Sequence, residues 1–323
     1  MGYCGFCMLH LRHFMEETIF ITGASGFIGK ALVVRLLKDS AAKLVLFSRT
    51  YTFEEYKENK RIVPVLGDIN NLPLLIQIIE EYKVTTIFHL ASEAIISNYI
   101  KSPRDAYLST VYGVSSLLEA VRLAKNKVSK VLVGTSYKVY GRASPPYNED
   151  THFSPGNTYE TAKACQDLIA QDYFRTFKVP VIIFRSVNIY GPGDTNLTRL
   201  VPKVFLDMRQ NISPTIYSAV KDSKREFLYI DDLLDAILLF KEKASGGEVF
   251  CVGGENKTIM EVVEKIGAIT KFTGSITIID APHVSETNEH VLDTTKLEKL
   301  GWERKTSLDD GLLECSRYYT AKE

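Results

Sequence analysis

The stretch "TGASGFIG", residues 22–29, decides the fold of this 323-residue chain. It follows a short apolar run at 18–22 and opens a segment in which apolar residues recur every three or four positions. Gly23, Gly26 and Gly29 allow a tight turn, close approach of a diphosphate and close packing of helix on strand. The amide groups that open the helix then point at the anion. The stretch therefore predicts a dinucleotide-binding strand–turn–helix.

The rest of the chain alternates short apolar runs with helical patterns, which predicts parallel βαβ units in a sheet covered on both faces. We therefore predict an α/β fold, a Rossmann-type doubly wound parallel sheet with a smaller, interleaved C-terminal α/β substrate lobe. Strands are predicted at 18–22, 43–47, 62–66, 85–90, 130–136 and 179–186. Helices are predicted at 27–38, 72–82, 104–125, 159–177, 231–243, 258–270 and 307–319.

The rhythm changes at "YGPGD", residues 190–194, and this change sets the expected domain boundaries. Ligands of open α/β sheets bind beyond the carboxyl ends of the strands, so we expect the lobe to close over that edge. The expected parts are a flexible leader at 1–14, a Rossmann domain at 15–186 to which 225–245 returns, and a substrate-binding lobe at 187–224 and 246–323.

Composition excludes several classes of partner. The 39 basic and 39 acidic residues give no net charge, so no nucleic acid is expected to bind. Apolar runs stay below the roughly 18 residues of a membrane span, so no membrane association is expected. The five cysteines are odd in number and irregularly spaced, which indicates a reducing, cytoplasmic setting.

The first 14 residues carry Cys4, Cys7, His10 and His13, a spacing that invites comparison with a zinc site. Structural zinc sites normally leave about a dozen residues between ligand pairs, which this segment does not. We interpret the segment as a leader and predict no metal site.

The end of the second strand bears on the choice between NAD and NADP. A carboxylate there would bind the adenosine ribose of NAD, but this chain has Ser48 and Arg49. A guanidinium suits a 2′-phosphate, so Arg49 favours NADP, although an arginine after a strand is also a common surface residue. Asp68 follows the third strand, where it either lies near the adenine or caps the next helix.

Small residues in "HLAS", 89–92, would let a cofactor pass the end of the fourth strand, and we interpret His89 as packed rather than catalytic. The predicted cofactor site comprises Gly23, Ser25, Gly26, Phe27, Ile28, Gly29, Ser48, Arg49, Asp68, Ile69, Leu90, Ala91, Ser92, Tyr159 and Lys163.

The strongest chemical signal is Tyr159-x3-Lys163 at a helix start, with Ser136 at the end of an earlier strand. A tyrosine has an ordinary pKa of about 10 and is a poor base at neutral pH. A lysine one helical turn away, beside a positively charged nicotinamide, would lower it. Ser136 would hydrogen-bond the same substrate oxygen. These groups suit alcohol–ketone interconversion with hydride transfer.

From about residue 16 onward the chain resembles an extended short-chain dehydrogenase/reductase of the nucleotide-sugar epimerase/dehydratase family. The resemblance implies that Tyr159 is the catalytic base, with Lys163 and Ser136 assisting, and that the substrate is a nucleotide-diphosphate sugar. It implies that Asn188 lies near the substrate phosphates and that Arg225 binds the diphosphate, unless Arg225 belongs to a solvated basic turn. The motifs that carry the resemblance are "TGASGFIG", "GDI", "HLAS", the Ser136/Tyr159/Lys163 set, "RSVNIYGPGD", "REFLYIDD", "VGG" and "LGW".

Two positions depart from the family. Thr110 replaces an asparagine common in the fourth crossover helix, and the arginine usual before Asp293 is missing, so phosphate binding falls to Arg199 or His290. Family resemblance also implies a homodimer through the helices at 104–125 and 159–177.

The residues after Ser136 indicate the reaction. Dehydratases of the family resemble one another in having acidic residues there, whereas this chain has Tyr137 and Lys138. We include both in the catalytic set and expect an NAD(P)-dependent nucleotide-sugar epimerase, which oxidises the C4 hydroxyl to a transient ketone and returns the hydride. The alternatives are an NADPH-dependent 4-keto nucleotide-sugar reductase, a 4,6-dehydratase and, last, a non-catalytic dinucleotide sensor.

Overall fold

The computed structural model describes residues 17–280 and 289–320, so the expected leader at 1–14 lies outside the described residues. The strands are β1 (Thr18–Thr22), β2 (Lys43–Ser48), β3 (Ile62–Leu66), β4 (Thr86–His89), β5 (Lys130–Ser136), β6 (Val181–Ser186), β7 (Asn188–Tyr190), β8 (Thr215–Tyr217), β9 (Lys224–Tyr229), β10 (Val249–Val252), β11 (Glu255–Thr258) and β12 (Thr277–Ile279).

The α-helices are α1 (Phe27–Asp39), α2 (Leu72–Glu81), α3 (Ile96–Lys101), α4 (Pro103–Tyr107), α5 (Gly113–Leu123), α6 (Thr158–Phe177), α7 (Leu200–Arg209), α8 (Ile230–Lys243), α9 (Ile259–Thr270), α10 (Thr295–Leu300) and α11 (Leu308–Thr320). Short 3₁₀ turns lie at Glu54–Tyr56 and Tyr137–Tyr140, and a π-helical turn lies at Leu108–Tyr112.

Seven parallel strands form the large sheet in the order β10-β6-β5-β4-β1-β2-β3, which confirms the predicted fold class. Successive strand side chains point to opposite faces. On β1, Ile19 and Ile21 pack in the same cluster as α1 and α8, while Phe20 joins the cluster of α2 and α5. Both faces of the sheet are therefore buried under helices.

The smaller part of the fold is built on two short sheets, β11-β9-β7 and β12-β8. The expected lobe at 246–323 needs one adjustment, because β10 pairs with β6 as an edge strand of the large sheet. Helix α8 packs on α1 and β5, within the expected return at 225–245, whereas β9 belongs to a small sheet.

The single helix predicted at 104–125 is divided into α4, the π-helical turn and α5. The turn buries Thr110, whose hydroxyl oxygen accepts a hydrogen bond from the Glu93 amide at 3.1 Å and lies 2.6 Å from the Tyr99 hydroxyl. Turns of this type are frequent at functional sites. None of the helices in the described ranges is long and apolar enough to cross a membrane.

Candidate active site

A large cleft runs along the carboxyl ends of the central strands, where the sheet fold places ligands. Its volume is about 1970 Å³. Pockets for a single small ligand usually hold about 300–1,000 Å³, so this cleft is larger than one such ligand needs.

The glycine turn between β1 and α1 forms one wall of the cleft. Gly23 has φ +72°, and a Cβ there would lie 2.7 Å from the backbone of Leu90 and Ala91. A Cβ on Gly29 would lie 2.2 Å from the Gly23 carbonyl oxygen, so helix and strand could not pack as they do. Gly26 is the N-cap of α1 and leaves the helix amides facing the cleft. This cradle fits a dinucleotide diphosphate.

The other predicted cofactor residues also line the cleft: Ser25, Phe27, Ile28, Ser48, Arg49, Asp68, Ile69, Leu90, Ala91 and Ser92. The Ser48 hydroxyl oxygen accepts a hydrogen bond from the Tyr51 amide at 2.9 Å, and the side chain of Arg49 is exposed. Asp68 accepts hydrogen bonds from the amide and side chain of Asn70 at 2.8 and 2.9 Å, which ties its carboxylate into its own turn.

The serine and tyrosine of the predicted catalytic set meet in the cleft. Ser136 ends β5, where its hydroxyl oxygen accepts a hydrogen bond from the Lys138 amide at 3.2 Å, and Tyr159 lies in the first turn of α6. The Ser136 hydroxyl lies close enough to the Tyr159 phenol to lower its pKa. Burial raises the pKa of Tyr159 and Tyr137 adds to the rise, whereas the Ser136 hydroxyl and the positive charges of Lys138 and Arg199 lower it. The net shift is upward, so these three groups offset only part of the effect of burial on the Tyr159 phenol.

Lys163 is buried one turn along α6 from Tyr159. Its ammonium donates hydrogen bonds to Ser92 Oγ at 2.8 Å and to Gln166 Oε1 at 3.0 Å. Burial lowers the pKa of Lys163 to about 8, and the negative charge of Glu93 opposes this shift. The lysine is therefore charged at neutral pH and held in one direction.

The two residues after Ser136 bring a phenol and an ammonium to the cleft. Tyr137 is only 3% exposed, with its ring edge-to-face with His290 at 5.0 Å and the Lys138 ammonium 5.4 Å from its centre. His290 is 4% exposed and lies outside the cleft lining, between Tyr137 and Tyr147. His290 therefore supports Tyr137 from behind, which does not match its expected place beside the substrate.

The remaining predicted substrate residues line the cleft on the lobe side. Asn188 donates its side-chain amide to the Glu226 carbonyl at 3.0 Å, and Arg225 donates to the Lys224 carbonyl at 2.9 Å. Arg199 pairs with Asp194 at 3.1 Å. Arg225 is 6% exposed, which does not match a solvated basic turn.

His89 is fully buried, with Nδ1 2.8 Å from the Thr22 hydroxyl, and burial lowers its pKa to about 3. It is packed, as expected from the sequence. The sequence interpretation missed Glu93 and Gln166. Gln166 stands three residues after Lys163 on one helix, a spacing that places side chains together and was the available signal.

Comparisons with known proteins give consistent results. The model of the NAD dependent epimerase/dehydratase family matches residues 19–253. A trifunctional UDP-glucose 4,6-dehydratase/UDP-4-keto-6-deoxy-D-glucose 3,5-epimerase/UDP-4-keto-L-rhamnose-reductase of Arabidopsis thaliana is 26% identical over 320 residues, 95% of this chain and 48% of that protein. The chain thus spans about half the length of that relative.

Two solved structures are similar over nearly the whole chain. A dTDP-glucose 4,6-dehydratase from Bacillus anthracis in complex with NAD is 27% identical with a TM-score of 0.84, covering 95% of this chain and 97% of that one. A UDP-glucose 4-epimerase from Thermotoga maritima with UDP-glucose has a TM-score of 0.86 at 24% identity, covering 94% and 99%, which shows the same fold.

Proposed function

Because the chain belongs to the NAD dependent epimerase/dehydratase family, we propose that it is a nucleotide-sugar epimerase acting at C4 of its sugar. The proposal unites the close approach of Ser136 and Tyr159, the buried ammonium of Lys163 and a cleft with room for both a dinucleotide and a nucleotide sugar.

A bound nicotinamide would supply the hydride acceptor and donor for the sugar carbon. Tyr159 takes the proton of the C4 hydroxyl and later returns it, and Ser136 hydrogen-bonds the same oxygen. The charge of Lys163 favours the phenolate form of Tyr159. Inversion requires that the ketone sugar turns over in the cleft, so that its other face meets the same groups.

The observation that carries the choice of reaction is the pair Tyr137 and Lys138. Elimination of water needs an acid and a base beside the ketone. Directly after Ser136 this chain has a buried phenol and an ammonium, with no carboxylate in either position. Epimerisation needs no further acid or base. Both reactions are represented among similar proteins, so the proposal rests on the local chemistry.

For the substrate, we infer that Arg225 binds the diphosphate, with Asn188 and Arg199 beside it. A guanidinium grips two phosphate oxygens at once, and burial strengthens such a contact. The charge of Arg199 is partly neutralised by Asp194, so Arg225 is the main phosphate-binding residue in this proposal.

For the cofactor, we infer a preference for NADP over NAD. Arg49 is exposed at the end of β2, and Lys30 and Lys38 of α1 line the same cleft. These cations suit a 2′-phosphate. The ammonium of Lys30 lies 4.7 Å from the ring centre of Tyr51, two residues beyond Arg49.

We also infer a cytoplasmic homodimer assembled through α5 and α6. Exposed Leu123, Leu168 and Phe177 lie on these two neighbouring helices and support an apolar contact between copies. The cysteines in the described ranges are free thiols, which suits a reducing compartment. Light scattering that returned the mass of one chain would contradict the dimer, and cell fractionation tests the compartment.

The test of the reaction is incubation with UDP-, CDP-, GDP- and dTDP-hexoses, with and without NADPH, followed by mass analysis. An unchanged mass with altered chromatography supports epimerisation. Loss of water would show a dehydratase, and a gain of two hydrogens with consumption of NADPH would show a reductase.

Tyr159→Phe tests the base. We expect activity to fall by about 10²–10⁴-fold, the usual contribution of general acid–base catalysis. Tyr217→Phe, an exposed phenol on β8, is the matched control and should retain full activity. Equal activity in the two variants would remove Tyr159 from its role.

A further inference from the structure

Two neutral oxygen acceptors hold the ammonium of Lys163. Ser92 Oγ lies 2.8 Å from Nζ and Gln166 Oε1 lies 3.0 Å from it. An ammonium carries three N–H donors, so these contacts fix two of them. Since Lys163 also lines the cleft, a ligand bound there can take the third.

Gln166 contacts Lys163 at the cost of an unsatisfied buried donor. It is fully buried, and its amide nitrogen has no hydrogen-bond partner among the described residues. Reversing the amide would turn its NH₂ toward another donor, so the oxygen must face Lys163. A leucine would fill similar space without an unsatisfied donor, and an unsatisfied buried group calls for an explanation.

We propose that Gln166, together with Ser92, is a positioning residue that aims the Lys163 ammonium at the cofactor and Tyr159. The proposal rests on the proposed function for the role of Lys163. The amide oxygen orients the ammonium without adding a charge. A carboxylate in the same place would form an ion pair with Lys163, so the lysine would hold its proton more tightly.

The test uses Gln166→Glu and Gln166→Leu, because they act on Lys163 in opposite directions. Glutamate should move the titration midpoint of Lys163 upward by about one pH unit or more. Leucine removes an acceptor from the charged form and should move it downward. Gln77→Leu, an exposed glutamine on α2, is the matched control and should leave it unchanged.

The midpoint is measured by NMR on protein labelled with ¹³Cε-lysine, without ligand, and the Lys163 signal is assigned with Lys163→Met. Ser92→Ala removes the other acceptor and should shift the Lys163 midpoint downward, as Gln166→Leu should. It replaces Gln166→Leu in the test if that variant does not fold. Unchanged midpoints in Gln166→Glu and in the acceptor-removing variant would overturn the proposal.

Activity adds a second readout. The alkaline limb of the kcat/KM profile should follow the Lys163 midpoint, higher in Gln166→Glu than in Ser92→Ala. Shifted midpoints in a protein that converts no nucleotide sugar would leave the positioning role standing and reject the proposed function. Epimerisation by the wild-type protein, with unchanged Lys163 midpoints in the variants, would support the proposed function and reject the positioning role.

Discussion

A buried ion pair joins β6 to α6, the helix that presents Tyr159. The Asp167 carboxylate of α6 accepts hydrogen bonds from Arg185 Nε and Nη2 of β6, both at 2.9 Å. The Thr135 hydroxyl, next to Ser136, donates to the same carboxylate at 3.0 Å. The two charged side chains are 0% and 1% exposed, so water does not screen the pair. Its loss should therefore be felt in the stability of the whole domain.

The perturbation is a double-mutant cycle with Asp167→Leu, Arg185→Met and the double variant. Each single change leaves one buried charge without its partner and should lower the free energy of unfolding by about 3–5 kcal/mol. Independent effects would sum to about 6–10 kcal/mol, but the double variant removes both charges and should lose less than either single variant. The Thr135 hydroxyl keeps a second acceptor at the Phe184 carbonyl. The Tyr140 hydroxyl, which accepts a hydrogen bond from Arg185, still donates to the Asn148 carbonyl.

The assay is urea unfolding followed by far-UV circular dichroism and by fluorescence of Trp302, the only tryptophan in the chain. Trp302 is buried and donates its indole N–H to the Asp232 carbonyl, so it reports on α8. Coincident transitions are required before free energies are compared. Lys203→Met, which breaks an exposed pair with Asp207, is the control and should cost less than about 1 kcal/mol. Single variants no worse than this control, or additive losses in the double variant, would refute the reasoning.

Two further predictions concern the cofactor and pH. Arg49→Ser should weaken NADP binding about tenfold and leave NAD unchanged, since one exposed charge-assisted hydrogen bond contributes about 1.5 kcal/mol. Calorimetric titration measures both, Arg104→Ser is the exposed control, and equal effects on NAD and NADP would contradict it. Burial raises the pKa of Glu226 from 4.5 to about 7, so the folded state holds the proton more tightly than the unfolded chain. The stability gained is complete below about pH 4.5 and is lost as pH rises through 7. The wild-type Tm should thus fall more from pH 5 to pH 8 than the Tm of Glu226→Gln, and equal falls would exclude this origin.

The sequence located the six predicted strands to within two residues, because buried parallel strands are continuous apolar runs. It did not identify β10 as part of the large sheet. "VFCV" at 249–252 resembles any short apolar strand, and its partner β6 lies more than 60 residues earlier. Pairing over such a distance leaves no local signal.

The prediction of one continuous helix at 104–125 was wrong for a related reason. The apolar spacing persists through the segment, but the buried Thr110 hydroxyl accepts a hydrogen bond from the Glu93 amide and contacts the Tyr99 hydroxyl. These partners come from a different loop and from α3. Helix α3 itself was missed because Ile96 and Ile100 are exposed, which breaks the amphipathic pattern.

In the site, the sequence predicted residues whose chemistry is unusual for their position, such as Ser136, Tyr159 and Arg225. It did not predict the side chains that orient them. Gln166 and Glu93 are ordinary residue types, and only the folded chain shows that one holds Lys163 and the other opposes the shift in its pKa. Support of this kind depends on three-dimensional contact.

Two departures from the family pattern touch each other. Tyr137 stands where dehydratases resemble one another in having an acidic residue, and His290 stands in the segment where an arginine is usual; their rings are 5.0 Å apart. Groups in contact are energetically coupled, so we treat the two positions as one unit, in which two packed rings stand in place of two charged side chains. An aspartate at 137 would lose the ring contact with His290 and would place a carboxylate at a position that is only 3% exposed. A test of the proposed reaction by substitution at position 137 should therefore change position 290 as well.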